Sequence, residues 1–342
     1  MLEHGGGLRR MAQQYARPLS GWLDLSTGIS PRMYCVPELP AQIWQRLPEY
    51  DPALMAAAQA YYGASTLLAV AGSQAAIAAL PRLRRELHGP QVSRVLLAAP
   101  SYAEHQHHWR MQGHEVHLAS YAELDRYMAA TSFDVLVLVN PNNPTGERVA
   151  AEKILAWSKQ LSARGGWLVV DEAFADTQAD AVNSVLGEAA SINGLIVLRA
   201  VGKFFGLAGV RLGFVAAHSA LLQALENALG PWTISTAAQI IGRAALEDVF
   251  WQAEQKQFLQ QASHRLLDLL QSQRLPSQGT ELFQWCALTP EVAGRMHQFF
   301  AERGIFLRLF TDAAAGIRFG LPADEAQWQR LADTLHAWRR HE

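Results

Sequence analysis

Apolar residues in the first two thirds of the chain come in continuous runs rather than in alternation. Residues 67–71, 95–99, 135–139, 167–170, 195–198 and 214–217 contain no polar side chain. A strand covered on both faces reads this way, so the runs predict buried, parallel strands. Helical patterns lie between them: 52–62, stopped by Gly63; 75–87, opened by Gly72-Ser73-Gln74; 102–112; and 150–163. The alternation predicts an α/β fold with helices on both sides of the sheet. Residues 1 to about 50 read as irregular, with early glycines and Pro31, Pro37, Pro40 and Pro48. Gly230-Pro231 breaks the chain again. A helical region over 236–271 follows, then strands near 283–288, 304–309 and 316–319, and a last helix over 323–340. This part predicts a smaller α+β domain. The expected division is an N-terminal arm at 1–30, a large domain at 31–232 and a small one at 233–342.

Composition narrows the function classes. Half of the 342 residues are apolar and 18% are charged, as in an ordinary globular chain with a substantial core. The formal net charge is −2 and there is no basic block, which argues against nucleic acid or an anionic membrane as partner. No apolar stretch approaches the length of a membrane span, and the first residues lack the basic and apolar regions of a signal peptide. Cys35 and Cys286 stand far apart, so the expected compartment is a reducing cytoplasm. His105, His107, His108, His114 and His117 form the one cluster that invites a metal. No cysteine joins it and no HExxH pattern occurs, so it reads as a solvated, histidine-rich helix with no metal.

The chemistry concentrates around one lysine. Lys203 follows the run 195–198 and sits beside Phe204, Phe205 and Leu207 in glycine-rich surroundings. The reading is strand, loop, strand, with the amine poorly solvated. Desolvation lowers an ammonium pKa, and a neutral amine is what a carbonyl compound needs to form a Schiff base. Asp171 directly follows the run 167–170. Gly72-Ser73-Gln74 opens a helix, whose free amides favour an anion. Asn140-Pro-Asn-Asn-Pro-Thr-Gly146 is chemically a turn after the run 135–139.

Residues 203–213 fit Lys-x-Phe-Gly-Leu-Ala-Gly-x-Arg-x-Gly at every fixed position. They resemble the lysine segment of fold-type-I enzymes dependent on pyridoxal 5′-phosphate (PLP), in the histidinol-phosphate aminotransferase-like group. Asn140 to Gly146 matches that superfamily's Asn-Pro-x-Asn-Pro-Thr-Gly. The resemblance implies a large domain with a mostly parallel seven-stranded sheet and a smaller C-terminal α+β domain. It implies that Lys203 holds PLP covalently and that Asp171 pairs with the pyridinium nitrogen. Gly72, Ser73, Gln74 and Arg211 would bind the cofactor phosphate, Tyr102 would stack on the ring, and Asn143 would bond its ring oxygen and touch the substrate. A homodimer follows from the same likeness. Ala200 stands where the group usually has serine, and Leu47 where it has a tyrosine that reaches the partner's cofactor phosphate.

The reaction class rests on two further stretches. Leu2-Glu-His4-Gly5-Gly6, then Leu23-Asp-Leu-Ser26 and Ile29-Ser-Pro31, resemble the L-threonine-O-3-phosphate decarboxylases of cobalamin biosynthesis. Carried over, His4 and Gly5 bind a phosphorylated substrate, with the arm packing at the active site. Gly28 stands where that family has a substrate-contacting asparagine. Phe174, in Asp171-Glu-Ala-Phe174, replaces a tyrosine common in the aminotransferases. Arg308 and Arg318 match two arginines that hold substrate oxyanions, whose fork geometry suits phosphate and carboxylate alike. The resemblance implies decarboxylation of O-phospho-L-threonine to (R)-1-aminopropan-2-yl phosphate. The alternatives are an aminotransferase for histidinol phosphate or a related amino acid, and a non-catalytic PLP-binding module.

Overall fold

A computed structural model describes residues 4–89, 91–130, 133–177 and 183–341. The chain divides into two compact units: Met33–Asn143 with Glu147–Ala253, and Met1–Arg32 with Pro144–Gly146 and Glu254–Glu342.

The larger unit is built on a seven-stranded sheet. Its spatial order is Leu67–Val70, Gly213–Ala216, Leu195–Ala200, Trp167–Asp171, Val135–Val139, Arg94–Ala98 and Glu115–Ala119. All neighbours are parallel except Gly213–Ala216, which is antiparallel to both of its own. Successive residues of one strand enter opposite cores. Leu96, Leu136, Leu138, Leu168, Val170 and Val197 pack on one face. Val95, Leu97, Val135, Val137, Val169, Ile196 and Leu198 pack on the other. That is why those strands read as continuous apolar runs.

The edge strand Glu115–Ala119 is invisible to that reading. Its Glu115 and Leu118 face solvent, so half of it is polar or exposed. The region expected as one helix over 236–271 is two helices, Thr236–Glu247 and Val249–Ser272. Asp248 separates them, and its Oδ1 accepts from the Trp251 amide at 3.0 Å, as a helix cap does. The helix Thr236–Glu247 stays with the larger unit, since Gln239 bonds the Glu49 carbonyl and the Asp51 amide there. The units therefore part within the second helix, at 253/254. Among the described residues no helix is long and apolar enough to cross a membrane.

The smaller unit holds a four-stranded antiparallel sheet in the order Arg308–Phe310, Gly316–Gly320, Phe283–Ala287 and Gln278–Thr280. Helices Pro290–Glu302 and Glu325–His341 belong to it. The arm is not wholly irregular. Leu8–Gln14 is a helix whose Met11 packs with Trp22, Ala301 and Phe306. Leu23–Asp24 pairs in parallel with Ile305–Phe306.

Candidate active site

The strands of the larger sheet end at a cavity of about 200 Å³, where ligands of open α/β sheets bind. Val139, Asp171 and Ala200, each the last residue of its strand, line it. Gly72, Ser73, Gln74, Tyr102, Asn143, Lys203 and Arg211 line it too. Every cofactor residue expected from the sequence thus opens on one space.

Lys203 lies on a single helical turn, Val201–Phe204, rather than in a loop. The sequence placed its amine among Phe204, Phe205 and Leu207. Those three are buried and none of them lines the cavity. Trp251 stacks on Phe205 with centroids 5.6 Å apart, which anchors the turn in the core. The apolar surface that meets the amine is Phe174, whose ring centroid is 5.4 Å from Nζ. A ring face attracts a cation, and phenylalanine brings no hydroxyl to compete.

Asp171 is 3% exposed. Its Oδ1 accepts from the Ala173 amide at 3.1 Å, and its Oδ2 lies 2.9 Å from His105 Nε2. An ionised carboxylate only accepts, so Nε2 carries the hydrogen. His105 is 1% exposed, which corrects the reading of a solvated histidine helix. On Ala103–Met111 only His105 and Trp109, four residues apart, are buried; His107 faces solvent. His114 is also internal, with Nδ1 accepting from the Ser93 amide and Nε2 donating to the Pro81 carbonyl. Among the described residues no group of histidine, cysteine, aspartate or glutamate is placed to hold a metal. Sequence reasoning missed His105 as a site residue. Its spacing of three from Tyr102, on the helix that leaves the site, was the available signal. His105→Leu is expected to strand Asp171 Oδ2 and cost about 1–3 kcal/mol of stability. Urea unfolding of the cofactor-free protein measures this, and an unchanged midpoint would remove His105 from the site.

The anion turn is drawn tightly. Gly72 has φ +74°, and helix Ser73–His88 begins directly after it. Arg211 sits in the left-handed region, with φ 58° and ψ 53°. That bend lays its guanidinium over Gly72, where an added Cβ would stand 2.9 Å from Nη2. A Cβ on Gly213 would stand 2.8 Å from the Ser73 amide nitrogen and 2.6 Å from the Arg199 carbonyl oxygen. A helix N-terminus and a guanidinium brought this close are the chemistry that suits a phosphate. Gly213→Ala is expected to push this backbone apart and weaken phosphate-dependent cofactor binding by roughly tenfold or more, about 1.4 kcal/mol. Equilibrium dialysis against PLP and against pyridoxal measures it; an equal loss for both would sink the phosphate assignment.

The ring contacts are tied together. Tyr102 donates to Gln74 Oε1 at 3.2 Å, and Gln74 Nε2 donates to Glu104 Oε2 at 2.8 Å. Burial pushes the Tyr102 phenol up to about 12, helped by Glu104 and Asp171, so it stays neutral. Asn140 closes the turn before Asn143 by bonding Val149 in both directions, at 2.9 and 3.1 Å. Asn142 Nδ2 donates to the Pro100 carbonyl at 2.8 Å.

Of the residues expected to bind substrate, Asn143 lies in the larger unit and His4, Gly5, Gly28, Arg308 and Arg318 lie in the smaller one. Arg308 and Arg318 face each other across neighbouring strands. Arg318 is 5% exposed, and its Nη2 donates to the Ser26 carbonyl at 2.7 Å. Burial and then the Arg308 charge push the Arg318 guanidinium down to about 9, while Asp24 opposes them. Like charges placed opposite each other on a sheet repel, and an oxyanion held beside them would offset that repulsion. The arm reaches the same spot: the Gly6 amide donates to Ser26 Oγ at 2.8 Å, and Gly5 packs so closely on Ser26 that a Cβ would strike its carbonyl. Gly28 is buried two residues further on, and His4 is exposed at the arm's end. The fold thus brings Gly5 and Gly6 onto Ser26, and Ser26 onto Arg318, 292 residues further along the chain.

Comparison with known proteins agrees with this geometry. The profile of the aminotransferase class I and II family matches residues 38–339. A threonine-phosphate decarboxylase of Pseudomonas aeruginosa is 49% identical over 98% of this chain and 97% of its own. One from a Sinorhizobium species is 36% identical over 97% of each. Among solved structures, the histidinol-phosphate aminotransferase of Sinorhizobium meliloti, in complex with pyridoxal-5′-phosphate, superposes with a TM-score of 0.78. It covers 98% of this chain and 95% of that one at 20% identity, a likeness of fold. A buried parallel sheet, a lysine and an aspartate at its carboxyl edge, and a full-length sequence match together place this chain in the aminotransferase class I and II family.

Proposed function

We propose that the protein is a PLP-dependent decarboxylase that converts O-phospho-L-threonine to (R)-1-aminopropan-2-yl phosphate for the cobalamin side chain. The observation that carries this reading is the 49% identity to a threonine-phosphate decarboxylase over 98% of the chain. The paired arginines of the smaller unit, built for oxyanions, support it.

The cavity residues fit the cofactor. A buried carboxylate, an amine, a flat aromatic side chain and a cradle of amides around one space match a protonated pyridine ring bearing a carbonyl and a phosphate. When bound, PLP supplies a sink for the electron pair left by a bond broken at the substrate α-carbon. Asp171, fixed by His105, holds the proton at the ring nitrogen. Ser73 and Arg211 bind the phosphate, with Gly72 giving the room. Tyr102 covers the ring, and Gln74 holds Tyr102. Asn143 bonds the ring oxygen. Lys203 Nζ is the attachment point of the cofactor and the carrier of the proton that replaces carbon dioxide. Arg308 and His4 bind the substrate phosphate and Arg318 its carboxylate or phosphate, with Gly5 and Gly28 allowing close approach. Such a grip would fix the orientation of the substrate α-carbon and so select the bond that breaks.

The protein works as a homodimer in this reading. Trp44, Leu47, Tyr50 and Trp232 are each more than 60% exposed, apolar surface that a second copy of the chain would cover. Tyr50 and Trp232 also line a second cavity, of about 460 Å³. Cys35 and Cys286 are free thiols, which suits a reducing cytoplasm.

The test is incubation of the PLP-loaded protein with O-phospho-L-threonine. Carbon dioxide released over many turnovers, with the visible spectrum restored after each, is the expected result. No carbon dioxide, together with conversion to the pyridoxamine form by glutamate or histidinol phosphate, would replace the decarboxylase with an aminotransferase.

A further inference from the structure

A buried charge cluster ties the end of strand Trp167–Asp171 to strand Leu195–Ala200, which leads into the turn of Lys203, and none of its members lines the cofactor cavity. Its centre is Arg199, on strand Leu195–Ala200, with a side chain 7% exposed. Nη2 lies 2.9 Å from Glu172 Oε2, and Nη1 lies 2.6 Å from Asp176 Oδ1. Nη2 also donates to Ser184 Oγ at 2.9 Å. Ser184 in turn donates to Glu172 Oε2 at 2.7 Å, and the Val185 amide donates to Glu172 Oε1 at 2.9 Å. The ring of Tyr62 lies under the guanidinium, 5.3 Å from Cζ. Burial pushes the guanidinium down, but Glu172 and Asp176 outweigh it and hold it charged.

Stability does not explain such a cluster, because well-packed apolar side chains of the same volume serve as well or better. A guanidinium with several fixed partners does something an apolar group does not: it defines direction and distance. Arg199 precedes Lys203 by four residues, and Glu172 follows Asp171 by one. Phe174, whose ring meets the Lys203 amine, lies between the two carboxylates. The backbone ties these strand ends at Glu172 N to Leu198 O, 2.9 Å. Arg199 adds side-chain ties to Glu172 and Asp176 and to Ser184, and Glu172 in turn holds the Val185 amide.

We propose that Arg199 is a positioning residue, which sets the placement of the Lys203 amine relative to the Asp171 carboxylate and the Phe174 ring. The proposal rests on the PLP reading above. Placement decides where a proton lands. The bond from the α-carbon to the carboxylate breaks, carbon dioxide leaves, and the electron pair passes into the cofactor. Lys203 Nζ would then deliver a proton to the carbon that lost carbon dioxide, and its amine, by regaining its own bond to the cofactor, would displace the amine product. Delivered instead to the cofactor's own carbonyl-derived carbon, the same proton leaves the amino group on the cofactor, and water releases the product as an aldehyde. Both outcomes balance without an oxidant or reductant.

The experiment compares the PLP-loaded parent with Arg199→Lys, Arg199→Met and Glu172→Gln. One readout is pyridoxamine phosphate formed per carbon dioxide released. The other is the pH titration of the bound cofactor's visible absorbance without substrate. Arg199→Met is expected to raise the ratio roughly tenfold and shift the titration by about one pH unit, since one unit is 1.36 kcal/mol of altered surroundings. Arg199→Lys should fall between parent and Arg199→Met, and KM for O-phospho-L-threonine should stay within about threefold while kcat falls. A residue that only supports folding lowers the active fraction and moves neither ratio nor titration. Should Arg199→Met fail to fold, the nearly isosteric Glu172→Gln is expected to move both readouts in the same direction. Parent-like values for both readouts in the folded variants overturn the proposal. A parent that takes up PLP but releases no carbon dioxide sinks the decarboxylase reading alone, because the titration still tests Arg199. A parent that takes up no PLP overturns both.

Discussion

Lys203→Ala is expected to lower kcat for carbon dioxide release by at least about 10³-fold and to abolish the visible absorbance of lysine-bound PLP. The lysine does two jobs in the proposed function, as attachment point and as proton carrier, and alanine performs neither. The fold should survive. The Val201–Phe204 turn is held by Phe204 and Phe205 in the core, through Trp251 and Tyr34, and none of those contacts involves the amine. Absorbance spectroscopy and a single-turnover assay check both halves. A variant that keeps the parent's visible spectrum would show that another amine carries the cofactor.

Asp171→Ala is expected to weaken PLP binding by roughly 10²–10⁴-fold and to leave little turnover even at saturating PLP. Breaking a buried ion pair by removing one partner costs about 3–5 kcal/mol, which converts to that range of affinity. Asp171 is 3% exposed, so no water replaces its charge at the ring nitrogen. The variant also leaves His105 Nε2 without its acceptor. Asp171→Asn separates the two effects, since it keeps a hydrogen-bonding group against His105 but cannot hold a proton at the ring. Fluorescence titration with PLP, followed by assay at saturation, checks both. Full activity at saturating PLP in Asp171→Ala would mean that the ring works unprotonated.

Much of the site was legible from the chain alone. Lys203, Asp171, Asn143 and Arg211 sit in short segments whose residue types are dictated by local backbone needs. Glycine at 72 and 213 is required because the turn, the Ser73 helix and Arg211 approach too closely for a Cβ. Arg308 and Arg318 were expected as oxyanion ligands from the resemblance, and their mutual facing depends on strand register. The environment of the amine was misread, because adjacency in sequence is not adjacency on a helical turn, and Phe174 rather than Phe204 or Phe205 meets Nζ.

The sequence by itself determined what local pattern encodes: the buried parallel strands, the helix that opens at Ser73, the glycine-bound lysine segment and the Asn-Pro turn. Those features depend on residues a few positions apart, where periodicity and steric demand act directly. Tertiary structure alone decided the rest. It turned His105 inward onto Asp171, split the helical region at Asp248, and paired the exposed-patterned strand Glu115–Ala119 with Arg94–Ala98 at the sheet edge. It also closed Arg199 onto Glu172 and Asp176. Each of these rests on a partner far away in the chain, and burial of a polar side chain is affordable only once that partner is in place.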